Sequence, residues 1–400
     1  MDIKYIELLL NKCLNFDKSK ILFISYDVIN KDFVNKVVKY AEKIGVEEIV
    51  LDEEDINIYY DKLVNLSIDE IEKDPYFDKS KWDFYAEKHA SFLMLDTEFP
   101  GVLENVPSEK IAIASNTKRK SRPIFRRMES TNEIPWVIAA VPNRVWGRDI
   151  YGDNGYEKLE EAIYKMCMID TINPIQSWDD YLNNLKAKTD YLNNLKIRKL
   201  HYTNSLGTDL YLTLPKDNIW MSIADDKKYN MLVNMPSYEV FTSPDYRYTE
   251  GIVYSSRPLS YGGGIIDEFY LKFHEGKVVE YGAKKGVDIL KGIIESDDYS
   301  CYLGECALVD YSSPISMMNT VFKTTLIDEN ASCHLALGDS FEFSVPNGDT
   351  MTKEELKELG LNDSNNHVDF MIGTKDLRIE AETLNGNVTI FEDGNFIMKS

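Results

Sequence analysis

Cysteine is scarce in this sequence, and the few residues present argue against a disulfide framework. Five cysteines occur among 400 residues, at Cys13, Cys167, Cys301, Cys306 and Cys333. Their number is odd and no two form a C-x-x-C pair, a pattern typical of reduced thiols in a cytosolic protein. We therefore expect a cytoplasmic protein without structural disulfides.

Long apolar runs and an excess of basic residues are also missing. Charged residues interrupt the apolar runs near the N-terminus, and neither a secretory h-region nor a membrane-spanning length is found, so we expect no membrane association. The 45 Lys and Arg are outnumbered by 67 Asp and Glu, which gives a net charge of −22. This excess of negative charge argues against nucleic acid or an anionic membrane surface as the main partner.

Apolar and aromatic residues, by contrast, are abundant enough for large cores. Apolar residues make up 44% of the chain, and there are 25 Tyr and 17 Phe. Because single hydrophobic cores stop growing near about 250–300 residues, a chain of this length predicts two domains.

The N-terminal half alternates short apolar runs with helical periodicity. Apolar runs lie at residues 21–25, 90–95 and 137–141, a further strand is predicted at 46–51, and residues 32–44 carry apolar side chains at helical spacing. This alternation predicts βαβ units, so we expect residues 1–190 to form an α/β layered domain with a parallel sheet. Neither G-x-G-x-x-G nor G-x-x-x-x-G-K-[ST] occurs, so a nucleotide-binding role is not favoured.

A duplicated segment lies near the predicted domain boundary. The sequence DYLNNLK occurs at residues 180–186 and again at 190–196, and two copies are too few for a solenoid, so we predict a long connecting helix. From residue 197 the chain changes to short strands and turns, ending in a hairpin around Asp393-Gly394. Residues 191–400 are therefore predicted to form a mainly antiparallel, barrel-like α+β catalytic domain.

Ionisable residues in apolar surroundings indicate a site in this second domain. Glu305 lies in the apolar run 304–309, and Glu329 and His334 lie between apolar neighbours in 326–338. His367 and Asp369 are two residues apart, so in a strand they project from the same face, about 6–7 Å apart. An unpaired carboxylate in an apolar strand is costly and needs a partner such as Arg, a backbone N–H or a metal ion.

For each residue taken alone, an exposed strand position or a paired buried acid is the simpler interpretation. The occurrence of all these ionisable residues in the second domain favours a carboxylate-rich metal site. Four carboxylates, with Glu239 as the fourth, bring a charge of about −4, which two divalent ions would balance while neutral His completes the shell. Such a donor set suits Zn, Co, Mn or Mg.

Several sequence blocks carry a family resemblance. They are 234–242 (NMPSYEVFT), 304–309 (GECALV), 313–316 (SPIS), 328–338 (DENASCHLALG), 360–364 (GLNDS) and 367–373 (HVDFMIG), with 134–136 (IPW) and 187–195 (AKTDYLNNL) in the first half. These blocks resemble the thermophilic-type metalloaminopeptidases, peptidase family M29, over essentially the whole chain. The resemblance implies a two-domain homodimer with a dinuclear metal centre that removes N-terminal residues from peptides with a free N-terminus.

The resemblance also implies roles for individual residues. The metal-ligand positions of the family fall on Glu239, Glu305, His334, His367 and Asp369. Glu305 resembles a bridging carboxylate, and Asp369 is expected near both ions. Glu329 falls on the remaining functional carboxylate, which is either a ligand or the general base; we favour the general base.

One residue departs from the family pattern. The family usually has a Tyr seven residues after the His of the 328–338 block, where this chain has Phe341. A phenol could stabilise an oxyanion, whereas Phe cannot donate, and losing one oxyanion donor costs about 10²–10³ in rate. The alternative to an active metal-dependent aminopeptidase is therefore a weakly active or inactive homologue that binds metal or peptide. A structural or interaction protein with a solvated acidic face is a third hypothesis, disfavoured by the apolar flanks of Glu305 and His334.

Overall fold

The computed structural model describes residues 3–223, 231–262 and 264–398. The strands of these residues are, in chain order, β1 (Leu22–Asp27), β2 (Ile49–Glu54), β3 (Ser91–Asp96), β4 (Trp136–Ala140), β5 (Lys199–Thr203), β6 (Asp209–Thr213), β7 (Asn234–Met235), β8 (Val240–Thr242), β9 (Glu250–Tyr254), β10 (Leu259–Tyr261), β11 (Gly264–His274), β12 (Lys277–Lys285), β13 (Leu303–Leu308), β14 (His334–Gly338), β15 (His367–Met371), β16 (Arg378–Thr383), β17 (Gly386–Glu392) and β18 (Asn395–Phe396).

The α-helices are α1 (Ile3–Glu7), which continues as a π-helix (Leu8–Cys13), α2 (Lys31–Lys43), α3 (Ile56–Asn65), α4 (Ile68–Ile71), α5 (Ser80–Glu87), α6 (Ser108–Lys120), α7 (Pro123–Ser130), α8 (Arg144–Tyr151), α9 (Gly155–Met166), α10 (Pro174–Leu195), α11 (Val287–Ile294), α12 (Pro314–Met317), α13 (Thr325–Asp328) and α14 (Lys353–Leu359). Short 3₁₀ turns at Glu329–Ala331 and Glu342–Ser344 lie next to the site described below. None of the described helices is both long enough and apolar enough to cross a bilayer.

The chain divides into two compact units. The first contains the described residues of Met1–Asp180 and Ile223–Pro236, and the second those of Tyr181–Ser222 and Ser237–Ser400. The predicted long helix is confirmed as α10, which includes most of the duplicated sequence. The domain boundary expected between residues 190 and 191 stays a prediction.

The first unit contains the predicted parallel sheet. Its strand order is β2-β1-β3-β4-β7, and all neighbouring strands are parallel. The buried rings of Phe23, Trp82, Phe92 and Phe125 pack together with centroids 4.7 to 5.7 Å apart, and burial of each such ring stabilises the core by about 1.5–3 kcal/mol. The sequence did not predict β7, a two-residue strand that lies far along the chain from the other four.

The second unit contains two antiparallel sheets. A nine-stranded sheet has the order β10-β11-β9-β6-β5-β16-β17-β18, with β12 also paired to β11, and a four-stranded sheet has the order β15-β14-β13-β8. Both orders run from one edge strand to another without closing among the described residues. The antiparallel prediction is therefore confirmed, whereas the barrel-like character is not. The predicted terminal hairpin is also present, with Asp393 and Gly394 both at positive φ between β17 and β18.

Candidate metal centre

The four-stranded sheet of the second unit carries all five residues expected to bind metal. Glu305 lies in β13, His334 opens β14, and Glu239 directly precedes β8. His367 and Asp369 both lie in β15. Three strands, and the residue just before a fourth, therefore bring donors from distant parts of the sequence to a common sheet.

The strand register places these donors on one face. Ala336 of β14 pairs with Glu305 on one side and with Asp369 on the other. His334 lies two residues from Ala336, and His367 two residues from Asp369, so the alternation of a strand directs them to the same face. The small side chain of Ala336 leaves the space between the flanking carboxylates open.

Two glycines allow the strands around the donors to approach closely. A Cβ atom added to Gly304, next to Glu305, would overlap the backbone carbonyl oxygens of Gly338 and Asp339. One added to Gly338, which has a φ of +112°, would overlap the carbonyl of Asn366, next to His367. Glycine is the residue that tolerates both a left-handed φ and a close backbone contact.

Glu305 joins two clusters of donors. In the first, His334 Nε2 lies 3.1 Å from Oε2 of Glu239 and 4.0 Å from Oε1 of Glu305. In the second, His367 Nε2 lies 3.1 Å from Oε2 of Glu305 and 3.3 Å from Oδ1 of Asp369. The donor atoms within each cluster all lie within 4.8 Å of one another, a spacing that could hold a metal ion.

Backbone carbonyls orient both imidazoles. His334 Nδ1 donates to the carbonyl oxygen of Ser332 (3.1 Å), and His367 Nδ1 donates to that of Asp339 (2.9 Å). Because a carbonyl can only accept, each Nδ1 carries a proton and each Nε2 faces the carboxylates. A histidine that ligates a metal through one nitrogen usually donates its other N–H in this manner.

The electrostatics of the cluster favour a bound cation. Burial by itself would lower the pKa of His334 and of His367, but the neighbouring carboxylates outweigh it and raise both pKa values well above their usual range. Burial raises the pKa of Glu305 to about 7 despite its hydrogen bond with His367. Burial also opposes ionisation of Asp369, but His367 prevails and lowers its pKa to about 2.

The surroundings of two carboxylate oxygens indicate whether the site fits a metal ion. Oε2 of Glu239 and Oδ1 of Asp369 are buried and accept no hydrogen bond from the described residues. Each is close to a histidine Nε2, whose lone pair would oppose that of the oxygen unless a proton or a cation lies between them. Buried polar atoms are rarely left without a partner, and carboxylate oxygen with imidazole nitrogen is a donor set that divalent ions accept. The residues therefore fit a divalent cation.

Glu329 lies in the same electrostatic environment but in neither donor cluster. It opens the 3₁₀ turn Glu329–Ala331 just before β14. Burial and then the negative charges of Glu239 and Asp369 raise the pKa of Glu329 well above its usual range. A carboxyl group with a raised pKa beside a cation site is suited to proton transfer.

Asn330 is a residue for which the sequence suggested no role. Its side chain is fully buried, and Nδ2 donates to Oε1 of Glu329 (3.3 Å) and to the carbonyl of Leu326 (3.2 Å). Its Oδ1 accepts the backbone N–H of Tyr238 (2.6 Å), the residue before Glu239. One amide thus contacts both Glu329 and the backbone next to Glu239. In the sequence, the one feature that could have indicated this role is the position of Asn330 directly after Glu329.

Phe341 lies against the cluster. Its ring centroid is 5.2 Å from that of His367 and 5.0 Å from that of Phe241, and it also stacks on Phe343. The phenyl group therefore lies next to a donor of the candidate site, and it has no hydroxyl to offer. Phe241 and Phe343 were not identified from the sequence because isolated Phe residues carry no pattern.

Comparisons with known proteins show the family to which the chain is similar. The family described as thermophilic metalloprotease (M29) matches residues 3–396. Aminopeptidase AmpS of Bacillus subtilis is 34% identical over 399 residues, covering 98% of this chain and 97% of the relative. Aminopeptidase PepS of Streptococcus thermophilus is 33% identical over 403 residues, covering 99% and 97%.

A solved structure shares the fold as well. Wild-type AmpT from Thermus thermophilus superposes with a TM-score of 0.91 at 26% sequence identity, covering 99% of this chain and 98% of that one. Its similarity extends over both units of the chain.

Proposed function

The chain belongs to the M29 family of thermophilic metalloproteases, and from this premise we propose that it is a metal-dependent aminopeptidase that removes the N-terminal residue of peptides. The named relatives AmpS and PepS are aminopeptidases. The observation that carries the proposal is Glu305, whose two carboxylate oxygens face two different histidines. That arrangement suits a carboxylate shared between two cations.

We propose that two divalent ions, drawn from Zn, Co, Mn or Mg, bind here. Glu239, Glu305 and His334 would hold one ion, and Glu305, His367 and Asp369 the other. Bound ions of this kind polarise a carbonyl group and lower the pKa of a water toward neutrality.

Glu329 is proposed as the general base. Burial raises its pKa above the usual carboxyl range, which makes it a better proton acceptor than an ordinary carboxylate, so Glu329 would accept a proton from the attacking water and later pass it to the leaving amine. Asn330 fixes one oxygen of Glu329 and leaves the other for this exchange. The carboxylates around the site also suit recognition of the positively charged α-amino group, which would restrict cleavage to the first residue.

A second candidate function rests on Phe341. Because this ring contacts His367 and cannot donate a hydrogen bond, the chain could be a weakly active or inactive homologue that retains metal or peptide binding. Under this alternative the donor clusters persist while turnover is low, since one oxyanion donor is worth about 10²–10³ in rate.

One experiment separates these functions. Metal-replete protein is assayed with aminoacyl p-nitroanilides, and metal content is measured for the wild type and Glu305→Ala. We expect wild-type hydrolysis, loss of activity in Glu305→Ala, and less bound metal in that variant. An inactive wild type that binds metal favours the second function. Unchanged metal content in Glu305→Ala contradicts the assignment of Glu305 as a ligand.

We also propose a cytoplasmic homodimer. All five cysteines are buried and free, as is typical of proteins from reducing compartments, and the family resemblance implies a dimer. Light scattering coupled to size-exclusion chromatography tests this: a mass near twice 46.1 kDa is expected, and a monomer contradicts it.

A further inference from the structure

Three phenylalanines form a continuous aromatic surface beside the donor clusters, here called the Phe wall. It consists of Phe241, Phe341 and Phe343, with Phe341 in the middle at centroid distances of 5.0 Å and 5.4 Å from the other two. The ring of Phe341 also contacts the imidazole of His367 at 5.2 Å. The wall therefore begins at a proposed metal ligand and extends away from it.

The Phe wall lies on the same face of the sheet as the donors. Phe241 of β8 pairs with Ala307, which in turn pairs with His334, so its side chain is on the donor face. Because β8 and β15 are the two edge strands of this sheet, Phe341 contacts one residue from each edge. Its ring therefore lies over the donor face.

All three phenylalanines are partly exposed. A partly exposed aromatic cluster next to a reactive centre is a typical apolar subsite for a ligand. Among the described residues, the ring contacts of these three phenylalanines include one polar group, the imidazole of His367.

We infer that the Phe wall binds the side chain of the substrate's N-terminal residue and selects apolar residues such as Leu, Met and Phe. This inference rests on the proposed aminopeptidase function. The scissile carbonyl would lie at the donor clusters, and the side chain begins two bonds from the carbonyl carbon. The side chain would therefore lie beside the donors, and the wall contacts one of them, His367. There the wall offers aromatic surface and no charge.

A second cavity also reaches a proposed metal ligand, Asp369, and is the alternative binding site for the substrate side chain. It is lined by Leu259 and Met371 together with Thr324, Asp328 and Asp369. Its hydroxyl and carboxyl groups make it less suited to an apolar side chain, because burying a polar group without a partner is costly.

The test uses residues of the two surfaces that lie outside the proposed catalytic groups. The ratio of kcat/KM for Leu-p-nitroanilide to that for Ala-p-nitroanilide is measured in the wild type, Phe343→Ala and Leu259→Ala. We expect the ratio to fall about 10-fold in Phe343→Ala, the effect of losing a few apolar contacts in a pocket, and to stay unchanged in Leu259→Ala. Phe343→Leu should retain most of the preference.

A gain of specificity provides a readout that misfolding cannot mimic. Phe343→Glu should raise the ratio for Arg- over Leu-p-nitroanilide by at least about 10-fold, because the new carboxylate attracts the guanidinium. A ratio that changes only in Leu259→Ala, or an active wild type without apolar preference, overturns the inference while leaving the aminopeptidase function intact. Absence of hydrolysis with every substrate contradicts the proposed function itself.

Discussion

Phe341 occupies the position where the family resemblance leads us to expect a Tyr, and it lies against His367. Replacing it with Tyr adds a phenol hydroxyl at the donor face while conserving the ring of the Phe wall. We expect Phe341→Tyr to raise kcat at least about 10-fold, toward the 10²–10³ that one oxyanion donor supplies. Steady-state kinetics with Leu-p-nitroanilide measure this, and the Leu-to-Ala preference should not change.

Phe343→Tyr is the matched control for that prediction. It adds the same hydroxyl two residues away, to a ring that stacks on Phe341. No gain in kcat is expected from it. Equal gains in both variants, or none in Phe341→Tyr, would show that the missing phenol does not limit the reaction.

Asn330 is expected to position the catalytic groups. Asn330→Ala removes the hydrogen bonds to Glu329 and to the Tyr238 N–H, and we expect kcat to fall on the order of 10–100-fold, because small displacements of reacting groups are costly. KM should change little. Full kinetics and metal analysis of the purified variant measure both effects.

Asn330→Asp separates the two hydrogen bonds. The carboxylate still accepts from Tyr238, which restores the stability that a buried N–H loses without a partner, about 1–3 kcal/mol. It also places a negative charge next to Glu329, so activity should stay low. Recovery of wild-type kcat in Asn330→Asp would rule out positioning of Glu329 by this amide.

At the residue scale, ionisable side chains in apolar strands could be predicted as site residues. The neighbours that contact them could not. Glu305 stood out because a carboxylate in an apolar strand requires a partner, and His367 and Asp369 because an i, i+2 pair shares a face. The histidine partners Ser332 and Asp339 contribute backbone carbonyls, which every residue has. No sequence pattern distinguishes them.

Strand β13 depends on Gly304 for its approach to the turn after β14. Gly304→Ala would force a Cβ into the carbonyls of Gly338 and Asp339, so we expect a lower melting temperature and weaker metal binding, because Glu305 is displaced. Thermal denaturation and metal titration measure the two effects. The free energy lost should be about 1–3 kcal/mol, as for other overpacked sites.

Gly292→Ala is the matched control for Gly304→Ala, because it makes the same substitution at a glycine in another secondary-structure element. Gly292 lies inside α11, and apart from the backbone of its own helix and its chain neighbours no atom of the described residues lies within 4 Å of an added Cβ. Alanine there should stabilise the helix by up to about 1 kcal/mol and leave metal binding unchanged. If Gly304→Ala behaved like Gly292→Ala, the close approach at β13 would not matter for the site.

At the element scale, the sequence predicted what local periodicity determines. The four strands predicted in the first half correspond to β1 to β4, and the central strands β1, β3 and β4 are largely apolar because buried parallel strands are covered on both faces. The two-residue strand β7 escaped prediction, since its pairing with β4 is set by tertiary contacts rather than by any repeat. The open order of the nine-stranded sheet likewise depends on which strands find each other as neighbours.

The negative charge of the whole molecule adds to the repulsion among the carboxylates of the donor clusters. Several carboxylates converge in a chain whose net charge is already −22, and a bound cation would offset that repulsion locally. Anything that binds the folded state alone stabilises it by mass action. We therefore expect chelation to lower the melting temperature of the protein, and added Zn, Co or Mn to restore it.

The size of that stabilisation should grow with pH. In the cation-free protein the pKa values of His334 and His367 are raised, so their contribution to stability is complete below the unfolded pKa of about 6.5 and is lost as pH rises through the folded pKa values. Cations replace those protons and bind more tightly as the ligands deprotonate. The melting temperature with EDTA should thus fall between pH 6 and pH 9, while that of the metal-loaded protein falls less.

His334→Gln tests why the difference in melting temperature between the metal-loaded protein and the protein with EDTA should grow with pH. This difference is called the gap below. Glutamine removes the titrating imidazole and one proposed ligand, so both the pH dependence with EDTA and the stabilisation by metal should shrink. Differential scanning fluorimetry at pH 6, 7.5 and 9 measures the gap for each protein. A gap that is constant with pH in the wild type, or identical in His334→Gln, would mean that the cations bind away from the two histidines, because only ligands that exchange a proton for a metal ion link the two equilibria.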